Sequence, residues 1–483
     1  MRLREFLGHP VLQWTGCVTV FVSALILVSL RASHLFSLPQ PAVLGPSAAL
    51  LLGVVIAGSR RHLTWLPGAA AAASLLPLPL SAALFVAAVV AAVVARIGPR
   101  TGHRLVLARS VFGYPLTARD PDRLLHVHVL GPTGSGKSTT ALEPWIDQDL
   151  QRGVGVTVME PKGDLADAAR RRALAAGRVV VPFDPTDPAC PHLNLLAGAS
   201  AAAGEALAVA LDQMEPGAHP FYRTLGRVVL VHAVQLAKAA LADRADLDAV
   251  ERIVHDAPYR NRLRREVQDP GIDRFFEHEF GALPPGRQLD LEIGLLNRLQ
   301  SLRMHPGAAA ALSPPFDFDF DDVLASDLVL LATLSPAELG LGARGLGVLM
   351  WHLFVQAAYR AGPHGGLRHV LYLDEFHQWV SPDLADVLAM IRGYGVSIVL
   401  AHQDLGQLSP ELQEAVLANA RTRLVLGGTA AGDLRRLEGE ALPSSFPEAR
   451  YLPRGRAVLI PTVRGRQRPP RLVRLFPPRT SGL

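Results

Sequence analysis

Short apolar runs alternate with longer segments of helical character along most of the chain beyond residue 123. Each run is four to seven residues long, which is typical of strands buried on both faces of a parallel sheet. The predicted strands are Leu124–Leu130, Val154–Met159, Val179–Phe183, Leu328–Thr333, Val370–Leu373, Ser397–Ala401 and Arg423–Leu426. Strands that alternate with helices predict an α/β fold with a mostly parallel sheet.

Four other segments depart from this alternation. Ala457–Pro461 and Arg471–Phe476 are separated by glycine and prolines, so we expect them to pair as a hairpin at the sheet edge. Residues 98–122 are basic and contain glycine and proline, and we interpret them as a linker with a short strand at Leu105–Ala108. Residues 242–306 lack the strand pattern and are predicted to form a helical insertion.

The first hundred residues are far more apolar than the rest of the chain. Three tracts are long enough to span a bilayer: Val11–Leu30, Ala42–Gly58 and Leu63–Ala95. Prolines at positions 77 and 79 break the third tract, which therefore fits two spans. A signal peptide is the alternative for the first tract, but the tract is long for one and no clear cleavage site follows it. We predict an all-α transmembrane anchor over residues 1–97.

Arginines beside these tracts predict the orientation of the anchor. With four spans, seven arginines share one side of the membrane: Arg2, Arg4, Arg60, Arg61, Arg96, Arg100 and Arg104. Only Arg31 lies on the other side, so the positive-inside rule places the rest of the chain in the cytoplasm. Three spans with the N-terminus outside are the alternative. We therefore expect a multi-pass protein of the inner (cell) membrane, with a cytoplasmic core domain of residues 123–241 and 307–483.

Composition agrees with this organisation. The chain has 483 residues, 19% of them charged, and its mean hydropathy is +0.23, which is high for a soluble protein. Its two cysteines, Cys17 and Cys190, predict no disulfide framework, and a reducing compartment fits the core domain. The C-terminal region is basic, with nine arginines after Glu448 and no acidic residue among them: Arg450, Arg454, Arg456, Arg464, Arg466, Arg468, Arg471, Arg474 and Arg479. Such a tail can bind nucleic acid or anionic lipid.

Gly131–Ser138 (GPTGSGKS) matches the loop that cradles nucleotide phosphates. A predicted strand precedes it and a helix can follow it, as the motif requires. Its backbone N–H groups and the positive helix end would face the phosphates. Lys137 would reach the β- and γ-phosphates, and the Ser138 hydroxyl would hold Mg²⁺.

His369–Glu375 (HVLYLDE) is an apolar strand that ends in two carboxylates. A carboxylate at the end of a neighbouring strand can hold the Mg²⁺ that is bound to the phosphates, and Asp374 fits this role. Glu375 can polarise the attacking water as a general base. The two motifs together predict transfer of a phosphoryl group from ATP to water.

The order of these features resembles the coupling proteins of conjugation and type IV secretion (TraG/TraD-like), which are membrane-anchored P-loop motors of the HerA/FtsK group. The anchor, the GPTGSGKST loop, EPKGDL after the second strand, YLDEF and AHQDLGQL carry the resemblance. It covers nearly all of residues 123–439. Glu160 stands where the family usually has aspartate. The resemblance implies a RecA-like P-loop ATPase fold.

The resemblance also implies roles for particular residues. Nucleotide binding falls on Gly131, Pro132, Thr133, Gly134, Ser135, Gly136, Lys137, Ser138 and Thr139. Asp374 and Ser138 would hold Mg²⁺, Glu375 would act on water, and Gln403 would sense the γ-phosphate. An arginine that precedes the Gln403 strand acts on a neighbouring subunit's ATP in this family, and Arg392 occupies that place. Arg421 and Arg423 are the alternatives.

The expected function is that of an ATP-driven DNA translocase at a conjugation channel. The implied cofactors are ATP and Mg²⁺. The implied partners are DNA, expected to be single-stranded and bound without sequence specificity, or a relaxase–DNA complex, together with secretion-channel components and five further copies in a homo-hexamer. An ATPase that recruits protein for secretion without DNA is one alternative. A nucleotide-gated assembly factor of a membrane complex is another.

Overall fold

The computed structural model describes residues 104–214, 219–326, 328–381, 383–438 and 447–477; the predicted membrane spans lie outside these ranges. The strands are β1 Arg104–Ser110, β2 Pro115–Arg119, β3 Val127–Leu130, β4 Gly155–Glu160, β5 Val180–Phe183, β6 Val329–Thr333, β7 His369–Asp374, β8 Val396–His402, β9 Thr422–Leu426, β10 Arg456–Ile460, β11 Thr462–Val463, β12 Arg466–Gln467 and β13 Arg471–Arg474. The helices are α1 Asp120–Arg123, α2 Glu143–Gln151, α3 Asp164–Ala175, α4 Ser200–Met214, α5 Pro220–Leu241, α6 Leu247–His255, α7 Ala257–Val267, α8 Pro270–Arg274, α9 Pro285–Leu302, α10 Pro306–Ala311, α11 Phe320–Ala325, α12 Pro336–Leu339, α13 Leu341–Arg360, α14 Leu384–Met390, α15 Pro410–Asn419 and α16 Ala431–Glu438.

Parallel strands form the centre of the main sheet. Their order is β5-β6-β4-β7-β8-β3-β9, and every neighbouring pair among them is parallel. Beyond β9 the sheet continues with β10, β13, β1 and β2, each antiparallel to its neighbour. The predicted α/β fold with a mostly parallel sheet is therefore confirmed. Strand β3 begins three residues later than predicted, because His126 adopts a positive φ of 58° in the turn after α1.

Helices cover both faces of this sheet, and successive strand residues alternate between two cores. On β7, Val370 and Tyr372 belong to the core that includes α2 and α3. Leu371 and Leu373 belong to the core that includes α4, α5 and α13. Because both faces are buried, such strands appear in the sequence as continuous apolar runs. This explains why the parallel strands could be predicted from hydropathy.

The predicted edge hairpin forms but does not lie at the edge. Strands β10 and β13 pair antiparallel, as predicted. The hairpin β1–β2 then covers β13, since Arg109 and Ser110 of β1 pair with Arg474 and Val473. Residues 104–110 and 115–119 of the segment predicted as a linker are therefore strands of the sheet. The short strand predicted at Leu105–Ala108 lies within β1.

The helical run between β5 and β6 is longer than the predicted insertion. It begins with α4 and α5, upstream of residue 242, and continues to α11. The early helices pack in the same core as the later ones, so no break at residue 242 is visible in the packing. The domain boundaries themselves stay a prediction.

Among the described residues, one helical stretch is long and apolar enough to cross a membrane by length and composition, Pro220–Arg244. Its residues Val229, Leu230, Ala233 and Val234 are buried against other helices. We therefore interpret this stretch as a core helix of the protein.

A buried ion pair joins the elements that flank the loop after β3. The guanidinium of Arg123 donates to both carboxylate oxygens of Asp149 on α2, at 2.7 and 2.6 Å. The hydroxyl of Tyr372 on β7 donates to the same carboxylate at 2.7 Å. A bidentate, fully buried pair of this kind fixes orientation more than it adds stability. It holds α1, α2 and β7 in one arrangement.

Candidate nucleotide site

The carboxyl ends of four neighbouring strands meet at one edge of the sheet. In spatial order, β4 ends at Glu160, β7 at Asp374, β8 at His402 and β3 at Leu130. Leu130 and His402 are register partners, so these strands end at the same level. Open parallel sheets bind ligands beyond this edge. We call it the carboxyl edge; both sequence motifs lie on it.

The loop after β3 has the local geometry of a phosphate cradle. Gly134 and Gly136 have positive φ angles of 79° and 95°, which favour glycine. The Nζ atom of buried Lys137 donates to the carbonyl of Gly131 at 2.6 Å, so its side chain folds back across the loop. A π-helical turn, Lys137–Leu142, follows and continues as α2. Burial lowers the pKa of Lys137. A bound phosphate would favour the charged form of its ammonium group.

Asp374 and Ser138 lie side by side, as the motifs predict. The hydroxyl of Ser138 donates to Asp374 Oδ2 at 3.2 Å. The indole N–H of buried Trp379 donates to the Asp374 carbonyl at 2.8 Å, which fixes the end of the strand. Burial, and next the charge of Glu375, raise the pKa of Asp374. A cation at this position would favour the carboxylate form.

Glu375 takes part in a chain of side chains that ends on the phosphate loop. The amide Nε2 of Gln403 donates to Glu375 Oε1 at 3.0 Å. The hydroxyl of Thr133 donates to Gln403 Oε1 at 2.8 Å. Lys137 Nζ lies 4.0 Å from Glu375 Oε1. Gln403 therefore bridges the acidic motif and the phosphate loop.

His377 lies 3.7 Å from Glu375 Oε2 through its Nδ1 atom. Burial lowers the pKa of His377, so the ring is neutral near pH 7 and this contact is not an ion pair.

Several buried oxygens at this edge lack a hydrogen-bond partner within the described chain. They are Ser135 Oγ, Thr139 Oγ1 and Glu375 Oε2. A buried polar atom without a partner is costly, and native proteins rarely keep one without a reason. A site that closes around a polar ligand supplies such a reason. The residues thus fit a polar ligand such as a nucleotide.

The oxygens of Ser138 and Asp374 also fit Mg²⁺. This ion is usually held by one or two protein oxygens, with phosphates and waters completing its shell. Within the described ranges, no group of three histidine, cysteine or acidic side chains could hold a metal by itself. A magnesium ion here would therefore depend on the nucleotide for most of its ligands.

The structure separates Arg392 from these residues. Arg392 is exposed in the 3-10 turn Ile391–Tyr394, before β8 begins, whereas Gln403 follows the end of β8. Seven strand residues at roughly 3.3 Å each put about 20 Å between them. Burial, and secondarily the charge of Arg392, lower the pKa of His126, which directly precedes β3, to about 4. Arg392 cannot reach the nucleotide site of its own chain.

The two alternative arginines lie at the same far edge. Exposed Arg421 precedes β9, and its guanidinium donates to the carbonyl of Gly465 at 3.2 Å. Arg423 is buried and donates to the carbonyl of Leu417. Burial makes Arg423 unsuitable for contact with a neighbouring subunit, whereas Arg421 stays available.

Sequence reasoning missed three features of the site. Glu160 is buried beside Asp374; burial, with the charge of Asp374 adding to it, raises its pKa to about 7. The buried rings of His128 on β3 and His402 at the end of β8 lie 2.8 Å apart through their Nε2 atoms. Arg454 lies beside Gly136. Of these three features, only Glu160 could have been found from the sequence, through the EPKGDL motif.

A family model described as the TraM recognition site of TraD and TraG matches residues 368–437. This region contains β7, β8 and β9, and hence Asp374, Glu375 and Gln403. No curated protein sequence matches the chain.

The fold is similar to solved structures of coupling proteins. The bacterial conjugative coupling protein TrwB, in an unbound form, is 17% identical over 81% of this chain and 93% of its own, with a TM-score of 0.57. TrwB in complex with ADP and Mg²⁺ is 18% identical over 79% and 93%, with a TM-score of 0.56. VirB4 of Thermoanaerobacter pseudethanolicus is 15% identical over 78% and 97%, with a TM-score of 0.52. The family model and the shared fold confirm the resemblance to TraG/TraD-like coupling proteins.

Proposed function

We propose that the protein is a membrane-anchored ATPase that drives DNA, or a DNA–protein complex, into a conjugation or type IV secretion channel. The observation that carries the proposal is the chain of hydrogen bonds Thr133–Gln403–Glu375, which joins the phosphate loop to the carboxylate that we propose activates the attacking water. The TrwB structures solved with ADP and Mg²⁺ and with nucleotide analogues support it.

The residues of the two motifs and Gln403 each have a proposed part in hydrolysis. The loop amides bind the α- and β-phosphates and Lys137 reaches the β- and γ-phosphates. Ser138 and Asp374 hold Mg²⁺, which neutralises phosphate charge when bound. Glu375 accepts the proton of the attacking water. Gln403, which contacts both Glu375 and Thr133, orients that water and reports whether the γ-phosphate is present. These residues accelerate the reaction by positioning the reactants and by stabilising charge, without forming a covalent intermediate.

We further propose that the chain works as a ring, most simply a hexamer. Arg392 lies at the edge of the sheet opposite the loop, so it can serve ATP only in a neighbouring subunit. A ring of identical, head-to-tail contacts presents that edge to the next subunit's site. Hydrolysis would then depend on subunit contact.

DNA should stimulate ATP turnover if the proposed cargo is right. We expect single-stranded DNA of mixed sequence to raise the phosphate-release rate of the full-length protein in detergent, and the effect to fall steeply between about 50 and 200 mM salt. Glu375→Gln protein is the control for contaminating activity. Stimulation by a secreted protein but not by DNA would favour an ATPase for protein substrates. If neither DNA nor a secreted protein stimulates turnover, and the protein binds membrane components only in one nucleotide state, an assembly factor would be favoured.

The anchor is proposed to have four spans, with its N-terminus in the cytoplasm. Single cysteines at Leu3→Cys, Ser33→Cys and Ser59→Cys, in a chain with Cys17 and Cys190 replaced, test this. A membrane-impermeant maleimide added outside the cell should label only the second position. Labelling of the first and third positions, and not the second, would establish three spans instead.

A further inference from the structure

We propose that Arg454 binds the nucleotide in its own subunit, on the α- and β-phosphate side of the loop. This inference rests on the proposed ATPase function and adds a residue that neither the motifs nor the resemblance assigns.

A tight turn presents Arg454 at its tip. The turn spans residues 453–456 and is closed by the bond from the Arg456 N–H to the Pro453 carbonyl at 3.0 Å. Gly455 has a φ of 82°, as required at the third position of a type II turn. The next strand, β10, begins at Arg456 and lies inside the sheet, between β9 and β13. Arg454 is therefore carried by a defined turn on a rigid strand.

Close backbone contacts hold this segment against the phosphate loop. The N–H of Gly428 donates to the Arg450 carbonyl at 3.1 Å. A Cβ atom at Gly427 would overlap the Leu452 carbonyl, so only glycine allows the approach. A Cβ at Gly428 would lie 3.0 Å from Pro132 Cγ, which places the same strand end on the loop. The turn cannot move away without breaking these contacts.

The side chain of Arg454 lies at the loop itself. Its Nε atom is 3.5 Å from the position that a Cβ on Gly136 would take. Because Gly136 has no side chain, the loop surface there stays open to the guanidinium. Arg454 is exposed, and the described residues give it no ion pair or hydrogen bond. An arginine held at this place without an anionic partner suits a phosphate, which guanidinium groups bind by charge-assisted hydrogen bonds.

The position of Arg454 on the loop indicates which end of the triphosphate it would contact. Glu375 and Gln403 contact the loop through Thr133 and Lys137, on the side where the γ-phosphate is hydrolysed. Gly136 precedes the helix, and the glycine-rich loop cradles the α- and β-phosphates with its backbone. Arg454 should therefore hold parts of the nucleotide that are the same before and after hydrolysis, and strengthen ATP and ADP binding alike.

Binding of fluorescent ADP and of a non-hydrolysable ATP analogue to the full-length protein in detergent tests this. We expect Arg454→Ala to weaken both about tenfold or more, since hydrogen bonds between charged groups are the strong ones. Arg454→Lys should restore part of the affinity. Arg456→Ala, which removes an equal charge two residues away on β10, is the matched control and should bind normally.

The outcomes separate this inference from the proposed function. If the unchanged protein binds neither nucleotide, or binds them no better than Lys137→Ala does, the ATPase proposal is wrong. If the unchanged protein binds and Arg454→Ala binds equally well, Arg454 has no such role. Equal weakening by Arg456→Ala would mean a general charge effect and also overturn the inference. Weakening of the ATP analogue alone would place Arg454 at the γ-phosphate and contradict its assignment to the α/β side.

Discussion

A Glu375→Gln variant is expected to bind ATP as tightly as the unchanged protein and to hydrolyse it at least ~100 times more slowly. Glutamine keeps the length of the side chain and one carbonyl oxygen. The amide of Gln403, which donates to Glu375 Oε1 at 3.0 Å in the unchanged protein, therefore retains its acceptor. It cannot take a proton from water at neutral pH. The contribution of a general base, about 10²–10⁴ in rate, is therefore lost while the phosphate contacts remain.

Phosphate release and binding of a fluorescent ATP analogue are the two measurements required. Glu411→Gln is a suitable control, because Glu411 is an exposed carboxylate on α15 outside the site, and it should leave both values unchanged. Normal turnover by Glu375→Gln would remove the hydrolytic role from the end of β7. Loss of binding and turnover together would make Glu375 a nucleotide-binding residue instead.

The backbone at Glu375 strengthens this expectation. Its φ of 51° lies in the left-handed region, which costs a non-glycine residue of the order of 1 kcal/mol or more. Strain of this kind is retained where a side chain has to be placed for function. A Glu375→Gly variant relieves the strain and should unfold no more easily than the unchanged protein, yet be as inactive as Glu375→Gln. Activity and stability would then change independently.

The sequence was sufficient for the parallel sheet and for the motifs beside it. Strands such as β7 are buried on both faces, so their residues form apolar runs that need no knowledge of the fold. Residues 131–138 directly follow β3, and residues 374–375 lie at the end of β7. The neighbouring positions of β3, β8 and β7 bring them together. Local pattern and global fold agree at these places.

Long-range pairing explains what the sequence could not show. The hairpin β1–β2 follows the segment predicted as a membrane anchor, yet pairs with β13, more than 350 residues later, and this moves β10 and β13 away from the edge. Arg454 reaches Gly136 only because β9 and β10 pair beside β3. The contact between His128 and His402 likewise requires β3 and β8 to be neighbours. None of these pairings leaves a local pattern in the chain.

Replacing Arg392 by alanine is expected to lower ATP turnover by a factor of about 10³, the lower end of the effect known for arginines supplied by a neighbouring subunit. The distance of about 20 Å between Arg392 and Gln403 along β8 excludes action within the same chain. A positive charge from the neighbour would stabilise the transition state without holding the substrate in the ground state. Nucleotide affinity should thus stay normal, in contrast to Arg454→Ala.

Arg421→Ala is the matched control, because Arg421 is also exposed at the amino ends of the strands. Turnover is compared at protein concentrations where sedimentation shows the same assembly for each variant. Mixing Arg392→Ala with Glu375→Gln subunits should restore part of the activity, since some interfaces then combine an intact Glu375 with an intact Arg392. Normal hydrolysis by assembled Arg392→Ala protein would exclude Arg392, and a loss in Arg421→Ala alone would transfer the role to Arg421. A loss in Arg392→Ala that appears only with a loss of assembly would make Arg392 an interface residue, and hydrolysis would depend on the ring for a different reason.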